Sequence, residues 1–102
     1  MDETLLDMIL NHESYDNIKK CITNNSNIIK STNMFGEGPL HLAICTYKEQ
    51  LLIDIIILLI EYGADISCIT HSGHSISDYS ILYKYNKISE VIINKKLNNN
   101  NI

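Results

Sequence analysis

The sequence predicts an all-α fold, arranged as a solenoid of about three helix–turn–helix units. Two observations predict it. Apolar residues recur at helical spacing over most of the chain, and a glycine-led segment at residues 36–43 is followed 37 residues later by a similar one that starts at Gly73. Self-similarity at a fixed period is typical of repeat architectures. We expect one domain over residues 1–95 and a frayed polar tail over residues 96–102.

The first unit, at about residues 1–30, has the weakest signature, and we expect it to act as an N-terminal cap. Residues 4–10 predict its first helix. Residues 16–23 predict its second helix, because their apolar positions align with those of the next unit at an offset of 37 residues. We expect Asn24 or Asn25 to end this helix in the left-handed conformation.

The middle unit, at about residues 31–67, has the clearest pattern. Gly38 and Pro39 predict the start of its first helix, since glycine is acceptable at the N-cap and proline has a preset φ at the first helical position. Residues 54–62 are rich in isoleucine, which suits a strand, but their length and the glycine that follows favour a second helix. The unit is about four residues longer than a 33-residue repeat, and we place the extra residues in the turn at 46–51, because loops tolerate insertion.

The third unit, at about residues 68–95, is expected to act as a C-terminal cap. Ser75 and Asp78 fit a capping box at the start of its first helix. Apolar residues at i, i+3 and i+4 from Ile88 predict its second helix. No glycine–alanine pair follows that helix, which is typical of a terminal unit with an atypical outer face.

Two segments of the middle unit carry a family signature. Residues 36–43 read Gly-Glu-Gly-Pro-Leu-His-Leu-Ala and resemble the G-x-T-P-L-H-x-A motif of ankyrin repeats, with Gly38 in place of threonine. Residues 58–66 resemble the L-L-x-x-G-A-x-x end of an ankyrin second helix. The resemblance spans residues 4–95 and is strong over residues 33–67. The matching structural positions are Gly36, Pro39, Leu40, His41, Ala43, Leu59, Gly63 and Ala64.

Composition and charge argue against several partner classes. The chain carries 12 acidic and 8 basic side chains, all lysines, for a net charge of −4. Nucleic-acid and membrane-surface binding depend on basic stripes, so we expect neither partner. Three cysteines without close pairing predict reduced thiols, and the N-terminal segment lacks the plan of a signal peptide. We expect a cytoplasmic or nuclear protein.

The family resemblance implies a protein-binding concave surface. It is formed by the first helices and by the loops that precede them, called fingers. Here finger 1 is residues 31–37 and finger 2 is residues 69–74. The candidate protein-binding residues are Asn33, Met34, Phe35, Glu37, Tyr47, Thr70, His71, His74, Tyr79 and Tyr83.

The aromatic candidates allow two interpretations each. Phe35, the only phenylalanine, would be an aromatic anchor if exposed, but large apolar side chains are usually inside, which favours packing on the neighbouring finger. Tyr47, Tyr79 and Tyr83 lie on or near the first helices. They either face a partner, as tyrosine does at interfaces, or lie half-buried between helices.

The histidines and cysteines do not predict chemistry. The resemblance implies that His41 hydrogen-bonds to backbone and braces neighbouring loops. Cys68, His71 and His74 are three ligand types that zinc accepts, but structural zinc prefers four, so we interpret them as a half-buried thiol and two solvated histidines. We expect no metal and no other cofactor. The sequence also lacks a nucleophile–base motif and a phosphate-binding loop, so we expect no enzyme.

The resemblance therefore implies a non-catalytic protein–protein interaction module. Short ankyrin chains that are rich in isoleucine and asparagine and carry insertions resemble those of large DNA viruses, poxviruses in particular. That resemblance implies an adaptor or inhibitor that binds a host signalling protein in the infected cell. The alternative is a homo-oligomeric structural protein or a fragment of a longer ankyrin array, because so few repeats leave apolar flanks for a neighbour to cover.

Overall fold

The computed structural model describes residues 4–83 of the chain, and all of its regular secondary structure over that range is helical, which confirms the predicted all-α class. The predicted second helix of the third unit and the predicted tail at 96–102 lie outside the described residues. The described helices are α1 (Leu5–Leu10), α2 (Tyr15–Asn24), a 3₁₀ helix (Ser26–Lys30), α3 (Pro39–Thr46), α4 (Glu49–Glu61) and α5 (Ile76–Leu82).

The helices form two layers. One layer holds the first helices, in which α1 packs on α3 and α3 packs on α5. The other layer holds the second helices, α2 against α4, and α3 contacts α4 between the layers. The core between them is almost entirely aliphatic, with Leu5, Ile18, Ile55 and Leu59 fully buried. Burial of apolar surface is the main term that holds such helices together.

Side chains cap several helices at their N-termini. The predicted capping box of α5 is confirmed: the Ser75 hydroxyl accepts from the Asp78 N–H at 3.0 Å, and the Asp78 carboxylate accepts from the Ser75 N–H at 2.9 Å. Thr4 and Asp7 form the same box on α1, with distances of 3.1 and 3.4 Å. The capping box of α1 was not predicted, although Thr-x-x-Asp at the start of an apolar run is its signature.

The placement of the extra residues in a turn is wrong. The connection between α3 and α4 consists only of Tyr47 and Lys48, so it has no room for an insertion. The extra length lies inside α4, which has 13 residues where α2 has 10. At the 37-residue offset α2 aligns with residues 52–61, so the added residues are the first three of α4: Glu49 and Gln50, which are exposed, and Leu51, which is half-buried.

The two second helices end differently. Gly63, just after α4, has a φ of +97°, as the glycine stop predicts. The expectation of a left-handed asparagine after α2 is wrong, since Asn25 has a φ of −149° and the chain turns directly into the 3₁₀ helix. No helix among residues 4–83 is both long enough and apolar enough to cross a membrane.

Candidate functional site

The two fingers share one hydrogen-bonded design. In finger 1 the Asn33 N–H donates to the Glu37 carbonyl at 2.9 Å, and in finger 2 the Thr70 N–H donates to the His74 carbonyl at 3.0 Å. The side chains of Asn33 and Thr70 also accept from the last N–H of their finger, at 3.0 Å in finger 1 and 3.1 Å in finger 2. Equivalent residues are 37 positions apart, so the sequence period is also a period of backbone geometry.

The fingers also hold each other. The His71 N–H donates to the Phe35 carbonyl at 2.9 Å, and the Cys68 thiol donates to the Gly36 carbonyl at 3.7 Å. Gly36 has a φ of +79° and lies so close to finger 2 that a Cβ there would be 2.8 Å from the His71 backbone nitrogen. The loops therefore form one continuous edge rather than two independent tips.

His41 braces both fingers from below. Its ring is fully buried, its Nδ1 accepts from the Gly38 N–H at 3.3 Å, and its Nε2 lies 3.1 Å from the His74 carbonyl. Because Nδ1 is an acceptor, these contacts assign the proton to Nε2, which donates to His74. The geometry matches the bracing role that the family resemblance implies for this histidine. The ring also contacts Tyr79 edge-on, with centroids 4.6 Å apart.

Burial lowers the pKa of His41 below its ordinary value, because desolvation of the imidazolium outweighs the attraction of the His74 carbonyl and of Glu37. Between the lowered folded pKa and the unfolded pKa of about 6.5, the unfolded chain binds more protons. The contribution of neutral His41 to stability is therefore complete above pH 6.5 and is lost as the pH falls below it. We expect the free energy of unfolding in urea to drop between pH 7.5 and pH 5.5.

The matched variant for this prediction is His41→Gln, which has no imidazole to protonate. Its stability should be lower at pH 7.5 and should fall less steeply toward pH 5.5 than that of the wild type. If both proteins show the same pH slope, protonation of His41 does not contribute to acid destabilisation. All other ionisable groups are common to both proteins, so the comparison isolates the effect of His41.

Glu37, His74, Tyr79 and Tyr83 form a connected group that we call the tyrosine strip. The Tyr79 hydroxyl donates to Glu37 Oε2 at 2.6 Å. The Tyr79 ring centroid lies 6.4 Å from that of His74 and 6.3 Å from that of Tyr83. The strip runs from the fingers along α5, so it joins the edge of the loops to the first-helix layer.

Glu37 is held ionised within this strip. Partial burial by itself raises its pKa, but hydrogen bonds from Asn33 and Tyr79 together outweigh burial and lower the pKa of the carboxyl below its ordinary value. The Asn33 amide reaches Oε1 at 2.9 Å. Burial, followed by the hydrogen bond to the carboxylate, raises the pKa of Tyr79, so its hydroxyl stays a donor at neutral pH.

The exposed edge of finger 1 is apolar. Met34 is 80% exposed and Phe35 is 62% exposed, so the interpretation that Phe35 packs on the neighbouring finger is wrong. The Phe35 backbone is held by one local bond and one long-range bond: its N–H donates to Asn33 Oδ1 at 2.9 Å, and its carbonyl accepts from His71 in finger 2. With the backbone held in this way the side chain stays exposed. His71 and His74 in finger 2 are also exposed.

The prediction that Tyr47 and Thr70 bind a partner is wrong, because both side chains are buried. Tyr47 is 0% exposed, its hydroxyl donates to the Glu13 carbonyl at 2.6 Å, and burial raises its pKa to about 12. Thr70 is 6% exposed because its hydroxyl accepts from His74 inside finger 2. Both side chains hold the fold, and neither reaches the surface that a partner would contact.

Cys68 is half-buried, as the sequence analysis expects, and burial raises the pKa of its thiol. Over residues 4–83 no three or more histidine, cysteine, aspartate or glutamate side chains are grouped so that they could hold a metal ion, and this range includes Cys68, His71 and His74. The three cysteines are free thiols, all half-buried.

Two features of the site escape sequence reasoning. Ile69, at the start of finger 2, is 59% exposed, so finger 2 also presents an apolar side chain. Its position in a finger is a usable signal. The bond between Glu37 and Tyr79 joins residues 42 positions apart, and nothing in the local pattern indicates it.

Comparisons with known proteins leave the chain without an assigned relative. No family model matches the chain, and neither the curated proteins nor the solved structures include a significant match. The geometry of the fingers and of the tyrosine strip is therefore the basis for a functional proposal.

Proposed function

We propose that this protein is a non-catalytic interaction module of the ankyrin-repeat type, and that the finger edge binds another protein. The solenoid assignment is supported by repeated geometry. The N-caps Gly38 and Ser75 are 37 positions apart, and each donates its backbone N–H to the side chain three residues on. The finger residues Asn33 and Thr70 are also 37 positions apart and make the same backbone bond within their fingers. The bracing contacts of His41 support the same assignment.

The observation that carries the binding proposal is the pair of exposed apolar side chains at the tip of finger 1. Met34 and Phe35 are 80% and 62% exposed on a backbone that hydrogen bonds hold on both sides. Covering an aromatic side chain yields about 2 kcal/mol, and a preformed loop loses little entropy on binding. Such rigid, exposed anchors are typical of the residues that dominate protein interfaces.

The proposed partner is a protein of the cytoplasm or nucleus, and in the poxvirus-like interpretation it is a host signalling protein. Free thiols at all three cysteines are compatible with a reducing compartment. Specificity in this proposal lies in the side chains on the shared frame rather than in the frame itself.

The direct test is quantitative capture of partners by wild type and by the double variant Met34→Ser, Phe35→Ser. We expect the variant to bind the captured partner at least tenfold more weakly, because about 1.4 kcal/mol corresponds to tenfold in affinity. The measurement is a binding titration with the purified partner. The free energy of unfolding of the double variant should differ from that of the wild type by less than about 0.5 kcal/mol, because both side chains are exposed.

The matched control is Leu10→Ser, which removes an apolar side chain that is 53% exposed in α1. Leu10 lies at the end of the first-helix layer opposite the fingers, where the His12 ring contacts the Tyr47 ring at the end of α3. Equal losses of affinity in the control and the finger variant would contradict binding by the finger edge.

Light scattering over a concentration series tests the alternative function, a homo-oligomer. A homo-oligomer would show a mass that rises with concentration.

A further inference from the structure

The side of the molecule that carries the fingers and first helices has only negative charges among its lysine, aspartate and glutamate residues within 4–83. The lysines in that range lie in α2, in the 3₁₀ helix and at the N-cap of α4: Lys19, Lys20, Lys30 and Lys48. Asp7, Glu37 and Asp78, by contrast, lie in α1, finger 1 and α5. Acidic residues also lie in α2 and α4, so charge is mixed there, whereas the fingers and first helices of the described range carry no lysine. This favours a partner that is positively charged where it meets the fingers.

Glu37 has acceptor capacity left over. An ionised carboxylate offers about four lone-pair positions, and Asn33 and Tyr79 occupy one on each oxygen. The side chain is only half-buried, so the carboxylate is not sealed from solvent. Because the two hydrogen bonds fix the carboxylate in place, an incoming donor would meet a charge that needs no rearrangement.

The rings beside Glu37 suit the same kind of ligand. Tyr79 and Tyr83 lie at 44° to each other with centroids 6.3 Å apart, and the centroid of the exposed His74 ring lies 6.4 Å from that of Tyr79. Tyr83 itself is 43% exposed. A cation within about 6 Å of a tyrosine ring is attracted to its face, and the attraction adds to that of a nearby carboxylate.

We propose that the tyrosine strip binds a lysine or arginine side chain of the partner, with Glu37 as the counter-ion and Tyr79 and Tyr83 as the aromatic wall. This deepens the proposed function and rests on it: the apolar tip of finger 1 anchors the partner, and the strip selects a basic residue next to that anchor. The recognised element is a segment of another protein in which a cationic side chain neighbours an apolar one.

The probe for this test is a display library of random seven-residue peptides, selected on the full-length protein. Selected peptides should be enriched in lysine or arginine beside an apolar residue. Glu37→Gln keeps the shape of the side chain and an oxygen for Asn33 but removes the charge. We expect it to bind the selected peptides about tenfold more weakly and with a weaker dependence on salt.

The matched control is Asp16→Asn, which removes one negative charge from the exposed start of α2, away from the strip. It should bind the peptides within about twofold of wild type. Tyr83→Ala tests the aromatic wall separately and should weaken binding of basic peptides more than of neutral ones. Circular dichroism on each variant confirms that the helices are intact.

The outcomes separate the two proposals. Peptides that bind without enrichment in basic residues, or that bind Glu37→Gln as well as wild type, overturn the cation site and leave the finger edge as the binding surface. A library that yields no binder dependent on Met34 and Phe35 overturns both. A second copy as the occupant would appear as concentration-dependent mass in wild type that Glu37→Gln abolishes, and it would overturn the assignment to a foreign partner.

Discussion

Gly36→Ala is expected to destabilise the protein by about 2 kcal/mol. An alanine at a φ of +79° costs about 1 kcal/mol or more in backbone strain. Its Cβ would also lie 2.7 Å from Cδ2 and 2.8 Å from the backbone nitrogen of His71. The ring can swing aside, but the nitrogen can move only if the fingers separate and the bond from His71 to Phe35 breaks, which costs about 1 kcal/mol further.

Gly73 provides the matched control at the equivalent place in finger 2. Its φ is +88°, but an added Cβ would meet nothing within 4 Å. Gly73→Ala should therefore show the backbone cost alone, about 1 kcal/mol. Urea denaturation of both variants measures the difference. Equal losses at the two positions would mean that the fingers are not in contact at Gly36.

The second large effect is expected at Tyr47. Tyr47→Ala should cost about 4 kcal/mol, the range found when a buried aromatic ring is removed from a core. The Tyr47 ring is fully buried, and its centroid lies 4.7 Å from that of the His12 ring. Its hydroxyl donates to the Glu13 carbonyl. Tyr47→Phe removes only that hydroxyl bond and should cost about 1–2 kcal/mol. A chain of this size has little stability to lose, so the alanine variant is expected to be largely unfolded.

Thermal and urea unfolding followed by circular dichroism measure both Tyr47 variants. Tyr15→Phe is the control, because Tyr15 is half-buried and its hydroxyl makes no hydrogen bond to another described residue that would be lost. It should change stability by less than about 0.5 kcal/mol. Similar stability in Tyr47→Phe and wild type would show that the bond to Glu13 contributes nothing to the folded state.

Local signals explain the parts of the fold that the sequence predicts correctly. Gly38 and Pro39 mark the start of α3, Ser75 and Asp78 mark the start of α5, and Gly63 marks the end of α4. Each of these acts through atoms within a few residues, so a short pattern is enough to reveal it. The insertion was misplaced because the same extra residues fit a longer loop or a longer helix, and only packing around α4 decides between them.

Long-range contacts explain what could not be predicted at the candidate site. Tyr47 bonds to a residue 34 positions away and Tyr79 to one 42 positions away. Tyr47 lies in the core and Tyr79 lies in the tyrosine strip, although the local sequence around them gives no reason for the difference. The exposure of Phe35 depends on its bonds to Asn33 and to finger 2, and general burial preferences therefore gave the wrong expectation.

The three additional residues of α4 change how successive helix pairs are related in space. Three helical residues add about 4.5 Å of length and about 300° of rotation, so the chain leaves α4 about 60° short of a full extra turn. The connection from Asn25 to Gly38 and the one from Tyr62 to Ser75 have the same number of residues, so a change in connection length does not offset the longer α4. Counted from the N-cap, the pair α3 and α4 therefore covers 24 residues (38–61) where the pair α1 and α2 covers 21 (4–24), so the two helix pairs are not identical units.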